Sequence, residues 1–203
     1  LGIVGGEVRP PQYGIFSMIA AVEKGFTIIC PEETEAHAAL VARGITGVKA
    51  YKVRNLQEAW DVLLGIVKPR EASFSPSVIR SKKLLSYVPD LKEMKGIANA
   101  KRAMKIAIAG GHNILLVGPP GQGKTMLAKA ATALLPDLNK SEILDVNKIY
   151  SAAGILAGNE IVQKRPYQEI QNTATTAAVF GAGRPYPRPG LVSLAHRGVL
   201  FFD

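Results

Sequence analysis

Eight residues, Gly118-Pro119-Pro120-Gly121-Gln122-Gly123-Lys124-Thr125, constrain this chain more than any other feature. They satisfy G-x-x-x-x-G-K-[ST] in full. An apolar run at 114–117 stands immediately before them and a helical pattern over 124–135 after them, closed by Pro136. Backbone N–H groups in such a turn must point inward round a chain of phosphates. That demands glycine at crowded or positive-φ positions, here Gly121 and Gly123. The helix that opens at Lys124 aims the positive end of its dipole at the same place. Lys124 then serves the β- and γ-phosphates, and the Thr125 hydroxyl is a Mg²⁺ ligand. The motif with its next residue therefore predicts a nucleotide site made of Gly118, Pro119, Pro120, Gly121, Gln122, Gly123, Lys124, Thr125 and Met126, with ATP and Mg²⁺ as its cofactors.

A second acidic element follows. Residues 199–203 read Val-Leu-Phe-Phe-Asp, four apolar residues ending in a carboxylate, 79 positions after Lys124. In P-loop ATPases a strand of this form carries the aspartate that holds Mg²⁺ through its water shell. Asp203 is thus the second expected metal-side residue, and Lys124 and Asp203 are the expected catalytic pair.

The rest of the chain has room for more than this site. Its 203 residues and 47% hydrophobic content allow one domain or two small ones. Residues 1–67 alternate strand-like and helix-like patterns: a strand over 3–9 broken at Gly5-Gly6, a helix over 13–24 with Ile15, Met18, Ile19 and Val22 on one face, a strand over 26–30, and a helix opened by Pro31. A strand over 48–53 and a helix capped by Asn55 complete this α/β layer. Residues 68–88, rich in proline, serine and charge, read as a linker. A helix over 90–109, interrupted at Gly96, opens the next domain at 89. The lone cysteine, Cys30, lies in an apolar run and predicts a buried, inert thiol, while His37 on an acidic helix face reads as solvated. His112 and His196 read as structural hydrogen-bonding residues.

Net charge is +9, spread as −1 over 1–67, +7 over 68–105 and +3 over 106–203. The basic stretch lacks interleaved aromatics and reads as solvated surface. Residues 182–190, in contrast, combine Arg184, Tyr186 and Arg188 with three prolines. Two readings stay open there: nucleic-acid contact, with the arginines on phosphates and Tyr186 stacking, or a rigid turn with exposed arginines. No run is long and apolar enough to span a bilayer, and Leu1-Gly2-Ile3 has neither an initiator Met nor a signal pattern. The expectation is a cytoplasmic protein of which this is an excerpt.

Residues 107–128, Lys148-Ile149-Tyr150, Arg165-Pro166-Tyr167 and the stretch 189–203 together resemble the magnesium-chelatase-like AAA+ ATPases of the ComM/YifB type. The resemblance covers about 90 to the end. Gly6-Glu7-Val8-Arg9-Pro10 and Ile29-Cys30-Pro31-Glu32-Glu33 are similar to the C-terminal part of the Lon-protease-like domain that precedes the ATPase in that type. It implies a truncated AAA+ three-layer αβα fold over 89–203, behind a linker at 68–88 and a Lon-like part at 1–67. In Lon proteases a lysine on the first helix of this region partners an upstream serine. Here that helix start reads Gly14-Ile15-Phe16-Ser17, so a non-proteolytic role is expected. A His-His pair usual in the type is replaced by Gln171-Asn172. By resemblance the whole protein is a ring-forming, hexameric ATPase motor acting on DNA in branch migration, competence or recombination. The alternative is a chelatase- or chaperone-type remodeller of a protein partner. The glutamate after Asp203 and the arginine finger are expected beyond this sequence, which implies nucleotide binding with little turnover.

Overall fold

The structure is a computed structural model that describes residues 2–4, 7–9, 14–44, 48–74, 88–156, 159–183, 185 and 187–203. Gly5, Gly6, most of the linker expected at 68–88, and the candidate contact residues Arg184 and Tyr186 lie outside the described residues. In chain order the elements are β1 (Gly2–Val4), β2 (Glu7–Arg9), α1 (Gly14–Glu23), β3 (Ile28–Pro31), α2 (Glu35–Gly44), β4 (Ala50–Val53), α3 (Leu56–Leu63) and β5 (Arg70–Glu71). They continue with α4 (Ala98–Gly110), α5 (Lys124–Leu134), α6 (Lys140–Ala152), β6 (Tyr167–Ile170), α7 (Thr176–Phe180), β7 (Gly181–Ala182), β8 (Arg188–Pro189), α8 (Leu191–Leu194) and β9 (Val199–Phe202). The chain divides into two compact units, one within 1–81 and 139–163, the other within 82–138 and 164–203.

The first unit is built on β3 and β4, paired in parallel with Ile28 opposite Ala50 and Pro31 opposite Val53, and β5 runs antiparallel on the far side of β4. Strands covered on both faces need near-continuous apolar sequence, which Ile28-Ile29-Cys30 supplies. Against them lie Ile15, Met18, Ile19 and Val22 of α1 and Ala38, Leu40 and Val41 of α2. A short 3-10 turn, Glu32–Thr34, intervenes between Pro31 and α2. Asn55 caps α3 by accepting the Glu58 N–H at 2.8 Å, yet only Ala59 of that helix is buried.

Residues 139–163 sit within the stretch that the sequence assigns to the ATPase part, and in the structure they complete the first unit. Helix α6 starts with a capping box between Asn139 and Glu142. Leu144 and the following Ile161 enter the same core as α1 and α2. Asn147, fully buried, behaves like a piece of backbone: its Nδ2 donates to the carbonyls of Ile143 (2.7 Å) and Val162 (2.8 Å), and its Oδ1 accepts the Val162 N–H at 2.8 Å. Asn159 does the same, accepting the Ala36 N–H and donating to the Glu32 carbonyl.

In the second unit α4 and α5 pack through Met104, Leu127, Ala130 and Ala131, with Leu91 and Met94 from the preceding turn. The strands β6 and β9 pair in parallel, Tyr167 opposite Val199 and Ile170 opposite Phe202, and β9 lies against α5. One expectation needs correction. The run 114–117 has no ladder partner among the described residues: Leu116 packs on the α4–α5 core, but Leu115 and Val117 are 86% and 88% exposed. The described strands form one three-stranded and three two-stranded sheets. The architecture is mixed α/β.

Candidate nucleotide site

The turn at 118–123 is built by its glycines. Gly121 and Gly123 take φ of 80° and 79°, a left-handed conformation strained for any residue with a Cβ. Gly123 is the N-cap of α5, and its carbonyl accepts the Leu127 N–H at 2.9 Å, so the helix starts directly on the loop. The first turn of α5 has no acidic residue to offset its dipole. The Lys124 ammonium folds back over the loop and donates to the carbonyls of Gly118 (2.8 Å) and Pro119 (2.9 Å). A cation held only by neutral carbonyls, at a helix N-terminus, over left-handed glycines, is an anion receptor. Thr125 is the next residue of the helix, half-buried, and Pro119, Pro120, Gln122 and Met126 are exposed round the loop. These residues fit a Mg²⁺-nucleotide: Gly118 to Gly123 supply a backbone cradle, Lys124 the charge, and Thr125 the hydroxyl. Among the described residues no group of three or more His, Cys, Asp or Glu side chains could hold a metal by itself.

Asp203 stands at the end of β9, its N–H donating to the Ile170 carbonyl at 2.9 Å and so continuing the β6–β9 ladder by one rung. Its side chain is exposed. The entry to β9 is tightly fixed. Arg165 donates to the carbonyls of Pro136 and Arg197, the latter at 2.7 Å. Arg197 holds φ 62°, the one positive value among described non-glycine residues. A Cβ on Gly198 would collide with the Pro166 carbonyl, which instead accepts the Val199 N–H at 2.9 Å. The Arg165-Pro166 dipeptide thereby clamps the turn that aims β9 and Asp203.

The structure brings in two residues that sequence reasoning did not single out, Lys129 and Glu169, and joins them to Tyr167. Lys129 of α5 pairs with Glu169 of β6 at 3.6 Å and lies over the Tyr167 ring, whose hydroxyl donates to Glu169. Burial, the Glu169 carboxylate and Asp203 all push the Tyr167 hydroxyl pKa up, so it stays a donor. Period-two alternation of Tyr167 and Glu169 was the available signal.

Of the remaining candidates, Arg188 is exposed at the start of β8. His112 and His196 are exposed. His37 is not solvated: it is buried, with Nε2 2.7 Å from the Glu160 carbonyl, because α2 turns that face under residues 159–162. Desolvation lowers its pKa, opposed by that carbonyl. Burial, with help from Glu35, raises the Cys30 thiol to about 12 and keeps it inert.

A glycine-rich turn of this geometry feeding a helix defines a P-loop protein. Residues 90–203 match the family described as magnesium chelatase, subunit ChlI. The protein named YifB in Escherichia coli (strain K12) is 35% identical over 198 residues, 98% of this chain and 37% of that one. Competence protein ComM of Haemophilus influenzae is 34% identical over 207 residues, 98% and 38% of the two chains. A protein of Mycobacterium tuberculosis (strain ATCC 25618 / H37Rv) is 34% identical over 200 residues, again 98% and 38%. The chain belongs to the magnesium chelatase ChlI family, as a member of its ComM/YifB type. That family implies the AAA+ P-loop fold. The chain spans less than two fifths of the length of these relatives. Among the described residues no helix is long and apolar enough to cross a membrane.

Proposed function

We propose that this chain is the ATP-binding part of an AAA+ motor that acts on DNA. Its observed basis is the loop itself: left-handed Gly121 and Gly123 leading into a helix whose Lys124 is held by two loop carbonyls and by no carboxylate. Nucleotide supplies the phosphates that draw Lys124 off those carbonyls, and bound Mg²⁺ supplies charge neutralisation during phosphoryl transfer. Thr125 would hold the metal directly and Asp203 through its water. Gly118, Pro119, Pro120, Gln122 and Met126 complete the cradle.

The domain layout belongs to the same proposal: a non-proteolytic Lon-like part within 1–67, a linker at 68–88, and the AAA+ part from 89, its strands completed into a three-layer fold in the whole protein. We place that protein in the cytoplasm as a homo-oligomeric ring. DNA as the substrate draws on the competence protein among the relatives and on Arg188, with Arg184 and Tyr186 nearby in sequence. A remodeller acting on a protein partner is the second reading, favoured by the family's chelatase description.

Binding of a fluorescent ATP analogue tests the site. Lys124→Ala should weaken it by about a hundredfold, since two charge-assisted hydrogen bonds to phosphate are lost. Unchanged affinity rejects the assignment. Duplex and branched DNA titrated at rising salt separate the two readings. A DNA motor loses affinity steeply with salt through counterion release, whereas a protein remodeller shows no such DNA affinity.

A further inference from the structure

Three side chains outside the phosphate loop connect its helix to the strand pair that ends in Asp203. Lys129 lies five residues after Lys124 on α5. Its ammonium is 3.6 Å from Glu169 Oε2 and 5.8 Å from the centroid of the Tyr167 ring. Tyr167 Oη donates to the same Glu169 oxygen at 3.3 Å. Tyr167 and Glu169 are alternate residues of β6, so they share the sheet face turned to α5. In the β6–β9 register they stand opposite Val199 and Phe201, and Val199 packs on the α4–α5 core. The next rung is the Asp203 N–H on the Ile170 carbonyl, one residue beyond Glu169.

A half-exposed ion pair adds little to stability, because water screens it and two long side chains lose freedom. Its geometry is nonetheless informative. Without Lys129, the Glu169 carboxylate would stand on the strand pair that bears Asp203 with no counter-charge from the helix. With Lys129 in place, the helix carrying Lys124 and Thr125 is fixed in register against the strands carrying Asp203. The tyrosine hydroxyl fixes which oxygen Lys129 meets. On the reading of Thr125 and Asp203 as the residues that would hold a hydrated Mg²⁺, their relative placement matters at the level of about half an ångström.

We propose that Lys129, Glu169 and Tyr167 are positioning residues that set the Mg²⁺-dependent part of nucleotide binding by holding α5 against the Asp203 strand. This rests on the reading of residues 118–126 and Asp203 as the Mg²⁺-ATP site. It predicts a division of labour: the loop alone determines affinity for metal-free ATP, and the three residues determine the gain in affinity when Mg²⁺ is added.

The test is the thermal-unfolding shift and affinity of the full chain with ATP in EDTA and with ATP plus Mg²⁺. Lys129→Met and Glu169→Gln should leave the melting temperature of the free protein within about 3 °C of the parent. Metal-free ATP affinity should stay within about twofold, while the Mg²⁺-dependent gain falls about three- to tenfold. Tyr167→Phe, which keeps the ring and removes only the hydroxyl, should cost about twofold of that gain. The charge swap Lys129→Glu with Glu169→Lys should recover at least half of it. A Mg²⁺-dependent gain unchanged in both single variants and in Tyr167→Phe overturns the proposal, as does a uniform loss of metal-free and Mg²⁺ binding that the swap does not rescue. Lys124→Ala and Asp203→Ala serve as controls. If Asp203→Ala leaves the Mg²⁺ gain intact, the site reading fails and the positioning role fails with it. If Asp203→Ala abolishes that gain while the three variants do not change it, only the positioning role fails.

Discussion

Among the described residues two parallel strand pairs of equal length are used differently. The pair β3–β4 in the first unit is apolar along β3 and buried at Ile28, Cys30, Pro31, Ala50 and Val53. Polar groups near it are turned inward and matched to backbone, as with His37 and Asn159. The pair β6–β9 in the second unit keeps Tyr167, Gln168 and Glu169 half-buried and ends on exposed Phe202 and Asp203. There Glu169 finds a charged partner, Lys129, on a helix, and Tyr167 donates to the same carboxylate. Burial on both faces makes a strand pair a piece of core with one permitted arrangement. Partial exposure leaves carboxylates able to exchange one partner for another, which a site that admits a metal and a triphosphate requires.

The comparison breaks most visibly if the backbone-matching polar groups are not essential. Asn147→Ala removes three hydrogen bonds and leaves the N–H and C=O of Val162, itself buried, without their side-chain partner. The expected loss is about 3 kcal/mol in urea unfolding, because unsatisfied buried groups cost their full desolvation. ATP affinity, which depends on the other unit, should change less than about twofold. A stability loss under about 1 kcal/mol would mean that water or a shifted chain takes over the bonds, and that this unit is no more rigid than its counterpart.

His37 sharpens the contrast through pH. Its folded pKa lies below the ordinary 6.5, with burial the leading cause. The unfolded chain therefore binds the proton first. Stability is full above the unfolded value and declines as pH falls below about 6.5 toward the folded pKa, at no more than about 1.4 kcal/mol per pH unit. Unfolding curves between pH 7.5 and 5.5 should show the parent losing more stability than His37→Gln as the pH falls. Equal losses in both proteins would place the imidazole in water after all.

How much of this was legible in the sequence differs between the units for the same physical reason. The P-loop was readable because its demands are local: left-handed glycines, a lysine and a helix start are all neighbours in the chain. Asn55 as a cap and Ile15, Met18, Ile19 and Val22 as a buried face were readable on the same ground, a short period in a short window. Residues 139–163 were not, since the partners of Asn159 and Glu160 can be known only after the chain has folded back more than a hundred residues to α2 and the turn before it. His37 was misread for that reason; an acidic neighbourhood in sequence says nothing of residues 159–162 above it. The Lys129–Glu169 pair, likewise, joins positions forty residues apart across two elements.

The smallest effects expected are those of Leu115→Thr and Val117→Thr in the run before the P-loop, where the sequence pattern and the structure diverge. Four apolar residues in a row predict a strand buried on both faces, yet Leu115 and Val117 are almost fully exposed while Leu116 between them packs on the α4–α5 core. One side chain in this run therefore faces the core and its two neighbours do not. Burying a leucine contributes about 2 kcal/mol or more, and leaving one in water contributes next to nothing to folding. Because Leu116 is partly buried on that core, Leu116→Ala should therefore cost about 1–2 kcal/mol in urea unfolding. Leu115→Thr and Val117→Thr should each stay within about 0.5 kcal/mol of the parent. If the threonine variants cost as much as Leu116→Ala, both faces of the run are covered in solution. The second unit would then hold a strand buried on both sides next to its P-loop, as the first unit does at β3, and the contrast between the two units would shrink to the polar residues of β6.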